Sequence, residues 1–237
     1  DDGFLFEIDS RASGEADSRY FAVPHLENVV NIKDPEVQYG DANYNYAKDF
    51  VNKADQALFS SNFTNLATGW QAYMDMDSFV DWYLIQEIGK NLDGFYDTSC
   101  FMHLTRGGKL MMGPMWDMDV AYGNMSQANQ TCYDPKGFYI KYVKWYTRLF
   151  KDPSFVRRVK ERFDYFYRHQ NDILAYINAD AQYLKYSALE NNNVWHLLNV
   201  KTWPNYNIWG SYQNEVQELK VWFTNRMEWL KTQFDQM

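Results

Sequence analysis

The beginning of the chain alternates hydrophobic and polar positions with the two-residue period of a β-strand. In residues 3–9, both phenylalanines fall on one face of the strand and Glu7 falls on the other. Shorter strands are predicted at residues 20–23, where a proline follows, and at residues 29–32. Residues 1–40 are therefore expected to form a small β segment.

Apolar residues at a spacing of three and four then indicate helices that bury one face. The first stripe runs from Tyr46 to Leu58. The second follows capping carboxylates at residues 75–77 and continues to Lys90. Further helices are predicted at residues 138–150, 153–178, 179–199 and 208–236. The pattern as a whole predicts an α+β fold that is mostly helical.

A β-hairpin is predicted between these helical regions. Two strand-like segments, 99–104 and 109–115, are joined through Arg106-Gly107-Gly108-Lys109, and the glycines supply the two positive-φ residues that a tight turn needs. If the glycines form the turn, the residues on either side of them pair with each other. Counting back along both strands then places Thr98 opposite Asp117. The open end of the hairpin should therefore bring two acidic loops together.

One of these loops is residues 91–97, which contains Asp93, and the other is residues 116–119, which contains Asp117. Crowded carboxylates repel each other unless a proton or a divalent cation intervenes, and Mg²⁺ prefers one or two carboxylates together with phosphate oxygens. In phosphoryl transfer, one aspartate takes the proton of the attacking hydroxyl while a second holds Mg²⁺. The order of helix, loop, hairpin and aspartate matches that arrangement.

The overall composition limits the class of function. The chain has 237 residues and a formal net charge of −8, which argues against a protein that binds nucleic-acid phosphates through a basic surface. No apolar run reaches the roughly 18 residues needed to span a bilayer. Cys100 and Cys132 are too few for a disulfide framework and have no zinc-ligand spacing. The four histidines share no spacing suited to a metal or a charge relay.

A specific signature is formed by four segments, Asp77-Ser78-Phe79-Val80-Asp81-Trp82-Tyr83-Leu84-Ile85-Gln86-Glu87, Asn91-Leu92-Asp93-Gly94, Lys109-Leu110 and Gly113-Pro114-Met115-Trp116-Asp117-Met118-Asp119. Together these segments resemble the CotH kinase family, whose members look like remote relatives of protein kinases. The resemblance implies that Asp93 is the catalytic-loop aspartate and that Asp117 binds magnesium, with Asp119 as a second metal contact. Ser99 stands where some members have an asparagine that contributes to metal binding. Glu7 is expected near the nucleotide, with Asn91 and Glu87 in supporting positions.

The resemblance also implies an architecture. We expect a single CotH-like domain over residues 1–237 that is similar to the C-terminal lobe of a protein kinase. Its parts would be a hinge and small β segment at 1–40, a catalytic-loop and hairpin region at 41–135, and a helical bundle at 136–237. The sequence contains no glycine-rich phosphate loop, so the N-terminal lobe that binds the nucleotide in protein kinases is expected to be absent from this chain. Nucleotide binding by this chain alone is therefore expected to be weak or absent.

The function implied by the resemblance is transfer of phosphate from Mg²⁺-bound ATP to hydroxyl groups of proteins, if the complete domain is active. Its partners would be a protein substrate or surface and coat proteins, in a secreted or cell-surface location. Two alternatives remain open. One is a kinase-like protein without catalysis that serves in coat assembly or binds glycans through Trp195, Trp203, Tyr206 and Trp209. The other is a glycoside hydrolase that uses two carboxylates in an aromatic cleft.

Overall fold

The computed structural model describes residues 3–15, 17, 19–125 and 132–237. Asparagine-linked glycosylation patterns occur at Asn62, Asn124 and Asn129. The last of them, and Ser126 of the second, lie outside the described residues. No helix among the described residues has the length and apolar character that a membrane span requires.

The described strands form one antiparallel sheet of five. They are β1 (Gly3–Ile8), β2 (Tyr20–Val23), β3 (Asn28–Asp34), β4 (Cys100–Thr105) and β5 (Leu110–Met112). Their order is β2-β3-β1-β4-β5, so that the first strand lies at the centre. The three predicted strands of the β segment are confirmed, and the hairpin strands complete the same sheet.

Seven α-helices are present in the described part of the chain. They are α1 (Ala42–Phe59), α2 (Met76–Gly89), α3 (Lys144–Leu149), α4 (Pro153–Arg168), α5 (Gln170–Tyr183), α6 (Lys185–Trp195) and α7 (Tyr212–Asp235). Most residues in regular structure are helical, which confirms the predicted α+β, mostly helical class. Asp41 caps α1 by accepting a hydrogen bond from the Tyr44 amide at 2.7 Å, and Ser211 caps α7 in the same way through Asn214.

The chain forms two compact units. The first consists of Asp1–Glu87, Asp93–Asp117 and Tyr139–Val159, and it contains the sheet. The second consists of Ile88–Leu92, Met118–Phe138 and Lys160–Met237, and it contains the C-terminal helices. The expected divisions at residues 40 and 135 stay a prediction.

The core of the first unit explains much of the aromatic content. Trp82 and Tyr146 are buried and stack with their ring centroids 5.7 Å apart, and Tyr96 contacts both rings. Such rings contribute both a large apolar area and specific edge or face contacts. Burial raises the pKa of Tyr96 and of Tyr146 well above the ordinary tyrosine value. Tyr96 belongs to the predicted catalytic loop, so the loop is anchored in the core.

The hairpin is present, but its predicted register is wrong by one residue. Leu104 pairs with Leu110, which is one residue away from the predicted pairing, and four residues, 106–109, lie between β4 and β5. The Gly108 amide donates to the Thr105 carbonyl at 2.8 Å, and of the two glycines only Gly107 has a positive φ, of 78°. A turn that needs one left-handed residue at this position is satisfied by one glycine. Thr98 and Asp117 are therefore not register partners.

The predicted helix boundaries also need correction after residue 137. Residues 138–143 are not helical, because Tyr139, Ile140 and Lys141 donate their amides to the carboxylate of Glu87 rather than to helix carbonyls. The helix predicted at 153–178 is two helices, since α4 ends at Arg168 and α5 begins at Gln170. His196, with a φ of 52°, ends α6 earlier than predicted.

Candidate functional site

Asp93 and Asp117 lie beyond the open end of the hairpin, one before β4 and one after β5. A carboxylate oxygen of Asp93 and one of Asp117 are within 4.8 Å of each other. Asp93 is half-buried and Asp117 is exposed. The structure therefore brings together the two aspartates that the sequence pattern singled out, although the hairpin register differs from the predicted one.

Asp119 follows Asp117 by two residues, so the chain connection alone keeps its backbone within about 7 Å of that of Asp117. Its carboxylate is exposed. Asp119 begins the stretch of chain that belongs to the second unit. The family resemblance implies that Asp119 is a second metal contact, and that role stays a prediction.

Ser99 holds the side chain of Asp117 in place. Its hydroxyl donates a hydrogen bond to Asp117 Oδ2 at 3.1 Å, and its amide donates to Glu7 Oε1 at 3.2 Å. Both Ser99 and Asp117 have left-handed backbones, with φ of 58° and 60°. Left-handed residues other than glycine are uncommon, persist only where the surrounding structure fixes them, and cluster at functional sites. Ser99 therefore positions Asp117, whether or not its own oxygen also contacts a metal.

The loop that carries Asp93 is fixed by the neighbouring strands. The Cys100 thiol donates to the Asp93 carbonyl at 3.4 Å, and the Ser10 amide donates to the Asp97 carbonyl at 2.8 Å. Asn28 Nδ2 donates to the carbonyls of Tyr96 and Asp97 at 2.9 and 3.2 Å. Because hydrogen bonds from three separate segments converge on its backbone carbonyls, the loop presents Asp93 on a rigid support. Sequence reasoning missed Ser10 and Asn28, since neither belongs to a recognisable motif.

Glu7, which was expected near the nucleotide, is buried within the sheet. One oxygen of its carboxylate accepts the Ser99 amide and the other lies 3.2 Å from the Lys33 ammonium. Through Ser99 it is linked to Asp117. Its contact with a nucleotide stays a prediction, and its observed contacts are those of a group that supports the carboxylate pair.

Glu87 and Asn91, the two residues expected in supporting positions, differ in role. The carboxylate of Glu87 is fully buried and accepts three backbone amides, from Tyr139, Ile140 and Lys141, at 2.7, 2.9 and 3.0 Å. It therefore fixes the segment that leads towards α3. Asn91 is buried as well, and its side-chain amide contacts Met118 Sδ at 3.3 Å, within the second unit.

Two buried cations that the sequence analysis did not identify hold the backbone of residues 134–137 in the second unit. Lys90 donates to the carbonyls of Asp134 and Lys136 at 2.8 and 2.7 Å. Arg226, fully buried on α7, donates to those of Pro135 and Gly137 at 2.8 and 2.7 Å. The sequence contained a signal for Arg226, because this charged residue interrupts the apolar face of α7.

Both cysteines are buried and unpaired with each other. Burial raises the pKa of the Cys100 thiol to about 12, and the carboxylates of Asp93 and Glu7 add to the effect. A thiol that stays protonated is a poor nucleophile and a poor metal ligand. Cys100 therefore supports the loop rather than taking part in chemistry.

Comparison with known proteins identifies the family. The sequence model of the CotH kinase protein family matches residues 4–230. The chain belongs to the CotH kinase protein family. The match covers nearly the whole chain and includes every site residue named above, so the resemblance extends well beyond the short segments that first indicated it. No curated protein matches the chain. Membership in CotH indicates a kinase-like function in general.

Proposed function

We propose that this CotH chain carries the catalytic and metal-binding carboxylates for transfer of phosphate from ATP to a hydroxyl group of a protein. The observation that supports the proposal most is the approach of the Asp93 and Asp117 carboxylates to within 4.8 Å in a CotH family member. The backbone conformation of Asp117 and its bond from Ser99 add to it.

The residues present fit a magnesium ion. Mg²⁺ takes oxygen ligands at about 2.0–2.1 Å, so two oxygens on one ion are at most about 4.2 Å apart. The Asp93 and Asp117 oxygens lie within 4.8 Å of each other, which is close to that limit. Asp117 would hold the ion, with Asp119 as the second contact that the family resemblance implies, and the ion when bound would neutralise negative charge on the phosphate groups. Ser99 would keep Asp117 aimed at the ion by its hydrogen bond.

Asp93 is the proposed proton acceptor. A general base must lie within hydrogen-bond reach of the proton that it removes, in a fixed geometry. The half-buried side chain of Asp93 stands on a loop whose backbone is tied down on both sides, by Cys100 at its own carbonyl and by Asn28 further along. In the proposed role its carboxylate orients the acceptor hydroxyl and takes its proton as the phosphoryl group arrives.

The test is phosphate transfer from labelled ATP to a library of serine-, threonine- and tyrosine-containing peptides, with the purified full-length protein. Asp93→Asn should reduce the rate about 10²–10⁴-fold, the usual contribution of a positioned base. The matched control is Asp97→Asn. It lies in the same loop and is exposed, and its contacts to Ser10 and Asn28 use its backbone carbonyl. An Asp93→Asn protein as active as Asp97→Asn would refute the proposal.

The partners and location belong to the same proposal. A CotH-type phosphotransferase would act on surface or coat proteins outside the cytoplasm, as the family resemblance implies. Protease treatment of intact cells that contain the protein tests the location. Degradation of the protein under conditions that leave cytoplasmic markers intact is the expected result.

A second candidate function, glycan binding without catalysis, is favoured by a cavity of about 440 Å³ in the second unit. Tyr133 and Tyr206 stack at its edge with ring centroids 4.0 Å apart, and Trp209, Glu215 and Glu218 also line it. Aromatic faces with carboxylates nearby suit sugar rings and their hydroxyls. Glycan-array binding that is lost in Trp209→Ala, with no phosphate transfer in any assay, would select this function.

The glycoside hydrolase alternative is supported less well than phosphate transfer. The two carboxyl groups of such enzymes are about 5–5.5 Å apart in retaining enzymes and about 6.5–9.5 Å apart in inverting enzymes. Oxygens of Asp93 and Asp117 lie within 4.8 Å of each other, a separation that suits both a retaining glycosidase and a shared cation. The family match favours a kinase-like function over the cleavage of sugars.

A further inference from the structure

The first unit contains a pocket of about 430 Å³ that is lined by cationic side chains, in addition to the aspartate pair. We refer to it as the basic pocket, and its positively charged or ionisable residues are His25, Lys144, Arg148 and Lys151. The chain as a whole carries a net charge of −8. A concentration of positive charge in a concave site of an acidic protein raises the local concentration of anions there.

The positive charge of the basic pocket is only partly neutralised. Glu27 is the one carboxylate among the lining residues, and it pairs with Lys144 at 2.6 Å. Neither Arg148 nor Lys151 has a carboxylate partner among the residues that the structure describes. Two cationic side chains are therefore available to a ligand in the pocket.

Arg148 is already held in place for binding. Its Nε donates to the Leu58 carbonyl at 3.1 Å and one Nη donates to the Ser60 carbonyl at 2.8 Å. The guanidinium also lies over the Phe63 ring, 3.8 Å from the ring centroid. These partners fix the group without neutralising its charge. Arginine has five N–H donors, so its other end can still bind a carboxylate or phosphate through paired hydrogen bonds.

His25 is oriented in a similar way. Its Nδ1 lies 2.7 Å from Asp55 Oδ2, and its ring stacks on Phe59 with centroids 3.8 Å apart. The carboxylate of Asp55 is fully buried and also accepts the Trp145 indole N–H at 2.7 Å. Since a carboxylate only accepts, the histidine hydrogen is on Nδ1. Nε2 is then the ring atom left for a ligand, on a side chain that is 43% exposed.

The position of the basic pocket relates it to the candidate catalytic loop. Phe95 lines the pocket and follows Asp93 by two residues, which places their backbones within about 7 Å of each other. An extended peptide advances about 3.3 Å per residue. A peptide whose hydroxyl is at Asp93 would therefore bring a side chain two or three positions away to the rim of the pocket.

We propose that the basic pocket binds an anionic side chain of the peptide substrate, a carboxylate or a phosphoserine, two or three residues from the acceptor hydroxyl. This inference rests on the proposed phosphotransferase function and adds a substrate class to it. Specificity then arises because the charges of Arg148 and Lys151 are matched only by a substrate with a negative group at that spacing.

The test measures binding without ATP. Fluorescein-labelled peptides of one sequence carry an acceptor serine and, two or three residues on either side of it, glutamate, phosphoserine or glutamine. At one of these positions the anionic peptides should bind about tenfold more tightly than the glutamine peptide, the effect of one charge-assisted hydrogen bond. Lys151→Gln should reduce that preference several-fold. Lys53→Gln, which removes the same charge from an exposed position on α1 outside the pocket, should leave it unchanged.

Each outcome decides the inference. A preference for phosphoserine alone, or for glutamate as well, supports it and identifies the anion. Equal binding of all three peptides, or equal loss in the Lys151 and Lys53 variants, overturns it. Because the assay contains no ATP, selective binding without any phosphate transfer in a parallel reaction would refute the proposed function and leave the pocket assignment standing.

Discussion

Glu87 offers the most direct link between one side chain and the stability of the first unit. Its buried carboxylate accepts hydrogen bonds from three backbone amides, and Oε2 accepts two of the three. Burial lowers the pKa of Lys141, and the negative charge of Glu87 partly opposes that shift. Glu87→Gln keeps the shape and the helix propensity of the side chain. It replaces one accepting oxygen by an NH₂ group, so at least one amide loses its partner.

The magnitude follows from those contacts. A hydrogen bond to a charged group contributes about 1.5–3 kcal/mol, and a buried donor left without a partner costs about 1–3 kcal/mol. We therefore expect Glu87→Gln to lower the free energy of unfolding by about 3 kcal/mol. The assay is urea unfolding followed by circular dichroism and tryptophan fluorescence.

The matched control is Glu36→Gln, at an exposed position, which should change stability by less than about 0.5 kcal/mol. Hydrogen exchange at the amides of residues 139–141 should become faster in Glu87→Gln alone. If Glu87→Gln unfolds at the same urea concentration as Glu36→Gln, the Glu87 carboxylate does not stabilise residues 139–141.

Three further results are expected. Ser99→Gly should fold normally, because glycine accepts the left-handed backbone. It should need about tenfold more Mg²⁺ for half-maximal activity in titrations, because Asp117 loses its hydrogen bond. An unchanged Mg²⁺ requirement would contradict this expectation. The stability of the natural protein should fall as pH rises from 9 towards 12, because the Cys100 thiol ionises in the unfolded state but stays protonated in the folded state, where its pKa is raised to about 12. In thermal unfolding, Cys100→Ala should lose less stability over the same pH range. Arg226→Met should lower the free energy of unfolding by about 2–4 kcal/mol in urea titrations, because the carbonyls of Pro135 and Gly137 lose a charged donor. A neutral effect would show that these carbonyls find other partners.

Local sequence patterns predicted the elements of the fold well. Alternation in residues 3–9 and the apolar stripe of α1 correspond to the observed β1 and α1, because Phe4 and Phe6 of β1 and the apolar face of α1 are buried. The patterns failed where a distant side chain overrides local preference. Residues 138–143 have helical character in sequence, but the carboxylate of Glu87, on α2, accepts the amides of residues 139–141.

In the candidate site as well, local sequence patterns predicted some features and failed for others. Asp93 and Asp117 could be singled out because loops at one end of a hairpin meet, and that conclusion survives a one-residue error in register. The left-handed backbone of Ser99 and Asp117 could not be predicted, since neither residue is a glycine. The basic pocket was also missed, because His25 and Arg148 are more than a hundred residues apart in the chain.

The most direct test of the central claim is a double-mutant cycle on phosphate transfer with Asp93→Asn, Asp117→Asn and the pair combined. If the two carboxylates serve one reaction centre, each single variant loses most of the activity and the double variant is no slower than the slower single one. Independent losses that multiply in the double variant, or a single variant with full activity, would show that the two aspartates do not act together.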